Sequence, residues 1–212
     1  MAIDTGLVAT YNLNGSYNNE RGTGYNGVVT GSVPFVTGVK GQGVSFNGAG
    51  NTNNLKIGNP TLANVGTISL WFNPTSNVFS VPFGDASLWI GIVWNYNGVA
   101  GRIAAYIYSS AGIAVFADGI SLNAWTHLAM TWNGTTLTFY VNGHLVGSTA
   151  CGNIGNNTFD KYIGAPPTRN YYGSIDQVNV FQTVKNHKEI KQIMRTEHPF
   201  VTSGVGNFFN VM

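Results

Sequence analysis

The chain has 212 residues with ten Lys and Arg against eight Asp and Glu, a net charge of +2, and it is 43% hydrophobic and 13% aromatic but only 8% charged. That balance excludes a disordered chain, which needs high charge and few aromatics, and a helical bundle, whose exposed faces are built from Glu, Lys and Arg. No basic stripe exists to neutralise phosphates (the densest stretch, Lys185–Lys191, also carries Glu189), and no apolar run approaches the ~20 residues that span a bilayer.

Polarity comes from Asn, Thr, Ser and Gly, which suit strand surfaces and turns. From Leu7 to Phe181, runs rich in Val, Ile, Thr, Tyr and Phe alternate with turn clusters: Asn14-Gly15, Asn26-Gly27, Asn47-Gly48, Asn97-Gly98, Asn133-Gly134 and Asn142-Gly143. Asn-Gly accepts positive φ at both positions, as tight hairpins require. The spacing predicts strands along Ser87–Tyr96 and Gly101–Tyr108. In the first, Ile90, Ile92, Trp94 and Tyr96 share the expected core face; in the second, Ile103, Ala105 and Ile107 do. That leaves Trp89, Asn95, Arg102, Tyr106 and Tyr108 on a solvent face.

Trp125–Trp132, Thr135–Val141 and His144–Thr149 read as a three-stranded meander. Only Asn186–Arg195 has helical spacing, through Ile190, Ile193 and Met194. The expectation is one all-β domain over residues 1–197 with a short helix at about 186–195. An apolar tail follows over 198–212.

The single cysteine, Cys151, has neither a disulfide partner nor ligand spacing and reads as an inert thiol. Met1-Ala2-Ile3-Asp4 lacks the basic and apolar regions of a signal peptide, so the chain reads as cytoplasmically made or as a processed fragment.

Several segments resemble the laminin-G-like, or concanavalin A-like, jelly rolls. These are Gly6–Tyr11, the loop Gly22–Gly31, Gly41–Gly48, Thr67–Pro74, Trp125-Thr126-His127 through Tyr140-Val141-Asn142-Gly143, Tyr162-Ile163-Gly164, Gly173–Val178 and Glu189-Ile190. The resemblance spans residues 6–194. It implies a sandwich of two curved antiparallel sheets with ligands on a concave face or in rim loops. Function is left open, because this sandwich hosts lectins, glycosidases, adhesion modules and virion parts.

Glycoside hydrolysis needs two carboxylates about 5 to 10 Å apart. None of Asp4, Glu20, Asp85, Asp118, Asp160, Asp176, Glu189 and Glu197 pairs along one strand. His127, in the Trp-x-His block, reads as structural, and no catalytic residue is expected.

Some relatives hold calcium, so a structural calcium ion is the one candidate cofactor. The resemblance implies Asp176 as its only named ligand; the alternative is that Asp176 accepts backbone amides. Asn14, Asn47, Asn133 and Asn142 stand where many relatives carry Asp, which weakens a cation site.

Glycan contact would use aromatic platforms with amide and hydroxyl neighbours. The candidates are Trp89, Asn95, Arg102, Tyr106 and Tyr108, with Arg169 and Tyr171 from the proline-rich loop Pro166–Tyr172. The alternative is that these aromatics pack under loops or against another subunit. Phe200, Phe208, Phe209, Val211 and Met212 in the tail are the candidate assembly residues, folding back or docking on another subunit.

Together these features suggest a non-enzymatic structural and adhesive module, a bacteriophage virion component (capsid decoration, tail or fibre protein) that touches surface polysaccharide. The alternative is a lectin-like carbohydrate-binding domain of a secreted or surface protein, located extracellularly or on the cell surface; a glycoside hydrolase stands behind both. Neither nucleic acid nor a membrane span enters the reading.

Overall fold

The computed structural model describes residues 3–22, 24–48, 52–60, 62–108, 112–155, 157–164, 169 and 171–198. In chain order the strands are β1 (Leu7–Tyr11), β2 (Val28–Thr30), β3 (Phe35–Thr37), β4 (Gln42–Asn47), β5 (Asn54–Gly58), β6 (Gly66–Pro74), β7 (Ser80–Asp85) and β8 (Ile90–Trp94). Then follow β9 (Ile103–Tyr108), β10 (Gly112–Ala117), β11 (Thr126–Trp132), β12 (Thr136–Val141), β13 (His144–Ala150), β14 (Lys161–Ile163) and β15 (Tyr172–Phe181), and last a helix, α1 (His187–Glu197).

These form two antiparallel sheets. One has eight strands in the order β13-β12-β11-β6-β15-β4-β3, with β1 also on β15; the other has seven, β10-β9-β8-β7-β14-β5-β2. The inner faces close over one apolar core that includes Tyr11, Phe72, Phe83, Trp94, Trp132 and Phe139. Burial of such side chains is the main stabilising term of the fold. The concanavalin A-like sandwich implied by the sequence is the architecture observed, and β11–β13 form the expected meander.

The final hairpin turn shows why Asn-Gly was informative. Asn142 (φ 48°) and Gly143 (φ 72°) both lie in the left-handed region, and the Asn142 side chain accepts the His127 amide at 2.9 Å. One predicted strand is shorter than its pattern. Ser87–Tyr96 becomes β8 over Ile90–Trp94 because the Asp85 carboxylate accepts the amides of Ser87, Trp89 and Ile90, drawing residues 85–90 into a turn.

Helix α1 lies on the outer face of the eight-stranded sheet, where Ile190 and Ile193 cover Ala129, Tyr140 and Phe181. Asn186 accepts the Glu189 amide at 3.1 Å, and the Glu189 carboxylate accepts the Asn186 amide at 2.9 Å, a reciprocal capping box. An Asn186→Ala variant is expected to lose about 1 kcal/mol in urea unfolding. An unchanged midpoint would show that the cap adds nothing to the packing of α1. The tail residues Phe200, Phe208, Phe209, Val211 and Met212 lie outside the described residues.

An aromatic shelf as candidate functional site

The outer face of the seven-stranded sheet carries the candidate site. On β9, Ile103, Ala105 and Ile107 point into the core, which turns Ala104, Tyr106 and Tyr108 outward. On β10, Phe116 stands beside Ala104, Ala114 beside Tyr106 and Gly112 beside Tyr108. A Cβ at Gly112 would sit 2.6 Å from the Tyr106 hydroxyl oxygen, so glycine there lets the phenol lie across β10.

Two groups of rings result. Tyr96, from a short 3-10 turn after β8, lies 6.4 Å from Tyr106 and 6.5 Å from Phe116. Trp89 lies 5.5 Å from Tyr108, edge to face, and 6.5 Å from Phe159. Tyr106 and Tyr108 are two residues apart on one strand, about 7 Å, so the groups adjoin as one shelf. Phe116 is 45% exposed and Tyr108 and Phe159 are each 42% exposed, an unusual concentration of open ring surface.

The shelf rests on a buried polar network at its Trp89 end. Besides the three amides of its turn, Asp85 accepts a hydrogen bond from Asn157 at 2.8 Å. Lys161 donates to Asn157 at 3.1 Å, to Asn59 at 3.2 Å and to the Phe159 carbonyl. Burial pushes the Lys161 ammonium down to about 8 against the opposing pull of Asp85 and Asp160. Both carriers of this end of the shelf, the Trp89 turn and the Phe159 loop, are therefore fixed from below.

Arg102 holds Asp118 bidentately at 2.6 and 2.9 Å and stacks 4.1 Å above the Phe116 ring. The bond keeps Asp118 below the usual carboxylate range and raises Arg102. Trp89, Arg102, Tyr106 and Tyr108 thus share one surface.

Two of the other candidates do not belong to it. Asn95 is 8% exposed, turned inward by its left-handed backbone (φ 54°), and donates to the Asn77 carbonyl at 2.8 Å. Tyr171 is a core residue. Its ring packs 5.9 Å from Phe46, its hydroxyl donates to the Ser174 carbonyl at 3.2 Å, and complete burial raises its pKa well above the ordinary value. It immediately precedes the closing strand β15 and is packed into the core. Arg169 is half-buried, and its Nε is buried without a hydrogen-bond partner.

Phe116, Asp118 and Phe159 are shelf residues without a counterpart among the sequence candidates, and Tyr96, expected on the core face with Ile90, Ile92 and Trp94, stands on the shelf instead because left-handed Asn95 ends the strand and opens a 3-10 turn. Phe116 was legible as the next outward position of a strand continuing the Gly101–Tyr108 hairpin. Phe159 carries no local signal.

Asp176 sits on the other sheet. One oxygen accepts from the Val39 and Lys40 amides at 2.9 and 3.1 Å, and the other from the Gln177 amide at 2.7 Å. The carboxylate therefore pins the turn before β4. Burial raises its pKa to about 6, and these hydrogen bonds oppose the rise. Among the described residues, no group of three or more His, Cys, Asp and Glu side chains is arranged to hold a metal.

Glu197, at the end of α1, accepts from Trp71 Nε1 at 2.9 Å and from Asn179, and lies 3.5 Å from His127 Nε2. Burial pushes Glu197 up to about 8, with a smaller contribution from the Asp176 charge, and pushes His127 down to about 3. Both are neutral near pH 7, and the cluster anchors the helix. The oxygens of this carboxyl and of Asp176 are held by protein donors.

Residues 47–191 match the family profile of the concanavalin A-like lectin/glucanases superfamily. The chain belongs to that superfamily. No curated protein matches the sequence.

Among solved structures, this superfamily member is similar to domain 4 of AbnA, a GH43 extracellular arabinanase from Geobacillus stearothermophilus, in complex with arabinotriose. The TM-score is 0.74 at 18% identity, covering 89% of this chain and 98% of that one. It is also similar to the binding domain of Paraclostridial Mosquitocidal Protein 1, with a TM-score of 0.77 at 16% identity, covering 92% of this chain. The receptor-binding domain of botulinum neurotoxin type G follows, with a TM-score of 0.71 at 14% identity and 91% of this chain covered. The superfamily member spans about half of each toxin chain, 53% and 52%. At these identities the likeness establishes the jelly-roll fold. None of these relatives is a virion protein, and the expectation of a phage component gains no support from them.

Proposed function

We propose that this chain is a non-enzymatic carbohydrate-binding module that works outside the cell or at its surface, the lectin-like alternative above. The observation that carries the reading is the shelf: six aromatic side chains gathered on one sheet face, three of them more than 40% exposed, above a rigid buried network. Sugar rings present axial C–H groups that stack on aromatic faces, while hydroxyls at Tyr96, Tyr106 and Tyr108 supply orienting hydrogen bonds. Relatives of the same fold support the choice of ligand class, since one was solved with arabinotriose and others are receptor-binding domains of toxins.

Trp89→Ala and Tyr106→Ala are each expected to weaken polysaccharide binding by about 1.5 kcal/mol, roughly tenfold in Kd, without changing the thermal midpoint. Affinity electrophoresis through gels containing polysaccharide, followed by titration calorimetry on any retarding polymer, measures both. A native chain that no polysaccharide retards would overturn the proposal.

A further inference from the structure

Two arginines bear on the shelf, Arg102 by contact and Arg169 through its charge at Tyr106, and their circumstances differ. Arg102 is neutralised by Asp118 and covered by Phe116. Arg169 forms neither a hydrogen bond nor an ion pair through its side chain among the described residues, and its Nε is closed off from solvent without an acceptor. The eight acidic side chains of this charge-poor chain all have other partners. Of the eight carboxylates, four sit in ion pairs with Arg21, Lys56, Arg102 and Lys185. The remaining four, Glu20, Asp85, Asp176 and Glu197, accept from amide or indole donors. None of these eight side chains pairs with Arg169 among the described residues.

Its position is also informative. Val93 and Ala104 face outward from β8 and β9 yet are 1% and 0% exposed, so the middle of the shelf is roofed, not open sheet. Arg169 belongs to the connection between β14 and β15, and its positive charge is felt at the Tyr106 hydroxyl, where it opposes the upward push of burial. A guanidinium presents a planar fork of donors matched to a carboxylate, and a half-buried, unpaired one is a poor structural choice. Leaving a buried donor unsatisfied carries its full desolvation penalty unless a ligand supplies the acceptor.

We infer that Arg169 receives a carboxylate of the bound glycan, so that the ligand carries acidic sugar units stacked on the adjoining rings. The inference rests on the carbohydrate reading above and narrows it from polysaccharide in general to uronate-containing or sialylated chains. Arg102 takes no part in charge recognition, because Asp118 already occupies its fork.

The test presents the full chain with neutral probes (arabinan, xylan and mixed-linkage β-glucan) and acidic ones (polygalacturonate, alginate and a sialylated trisaccharide). The expected result is capture of at least one acidic probe in preference to every neutral one, weakening with added salt. Reducing the carboxyl groups of that probe to alcohols should lower affinity at least tenfold. Arg169→Gln should lower affinity for the untreated probe by a similar factor and become indifferent to the reduction, whereas Arg169→Lys should fall between. The reduction experiment needs only the native chain, so it stands even if a variant folds poorly. Equal or tighter binding of neutral probes, or an acid preference that survives Arg169→Gln, overturns the role of Arg169 while leaving the carbohydrate reading intact. Failure to bind any probe overturns both.

Discussion

An Asp85→Ala variant is expected to unfold about 3 to 5 kcal/mol more easily than the native chain, the largest stability effect foreseen for a polar residue here. Asp85 is fully buried at the end of β7 and satisfies four donors: three backbone amides of its own turn and Asn157. Alanine leaves all four unpaired. It also removes the stronger of the two negative charges acting on Lys161, a buried ammonium already drawn down to about 8, whose strand partner in the sheet is Asp85 itself. For a chain of this length the loss corresponds to roughly 10 to 15 °C in Tm.

The variant should also bind polysaccharide more weakly than the loss of stability explains, because the Trp89 turn and the Phe159 loop are both held by this network. Asp85→Asn, which keeps an acceptor and the shape, should recover part of the stability. Urea unfolding within 1 kcal/mol of the native value would show that the turn holds without its carboxylate.

Between pH 6.5 and 8 the native chain is expected to lose stability, and Glu197→Gln is expected to remove that slope. The sign follows from linkage. Folded Glu197 titrates at about 8 instead of 4.5, so between those values the folded state binds more protons than the unfolded one and stability falls as pH rises. His127 acts in the opposite direction. Its folded value of about 3 against an ordinary 6.5 makes stability rise with pH over that interval. The two slopes cancel where they overlap, from 4.5 to 6.5. Asp176, raised to about 6, has finished titrating by then, and Lys161 begins only near 8. Glu197 alone of these four groups remains across 6.5 to 8, where one proton amounts to about 1.4 kcal/mol per pH unit, or roughly 2 kcal/mol in all. Chemical denaturation of both chains at several pH values in this window measures it. A native profile that is flat there, or a variant that keeps the slope, would refute the assignment.

The alternation of Ile103, Ala105 and Ile107 with Ala104, Tyr106 and Tyr108 revealed which rings face outward, because a strand has a fixed period of two. The Asn-Gly turns located the meander for an equally local reason. Tyr171 was misplaced because a proline-rich neighbourhood says nothing about the residue that leaves it, here a core residue just ahead of the closing strand. Asn95 was misplaced because the left-handed backbone after β8 swings it off the strand pattern. Glu197 showed no pairing along the chain, since its partners Trp71, His127 and Asn179 come from three other strands.

The sequence by itself determined the fold class, the order of strands and turns, the terminal helix and the outward-facing Trp89, Tyr106 and Tyr108, all consequences of short-range periodicity and turn chemistry. Only the tertiary structure decided that Trp89 meets Phe159 across 70 residues of chain, that Asp118 occupies Arg102, and that Arg169 Nε is buried without an acceptor. Pairings of that kind depend on which strands lie side by side. Sheet order is set by burial summed over the whole core, which no local window of residues contains.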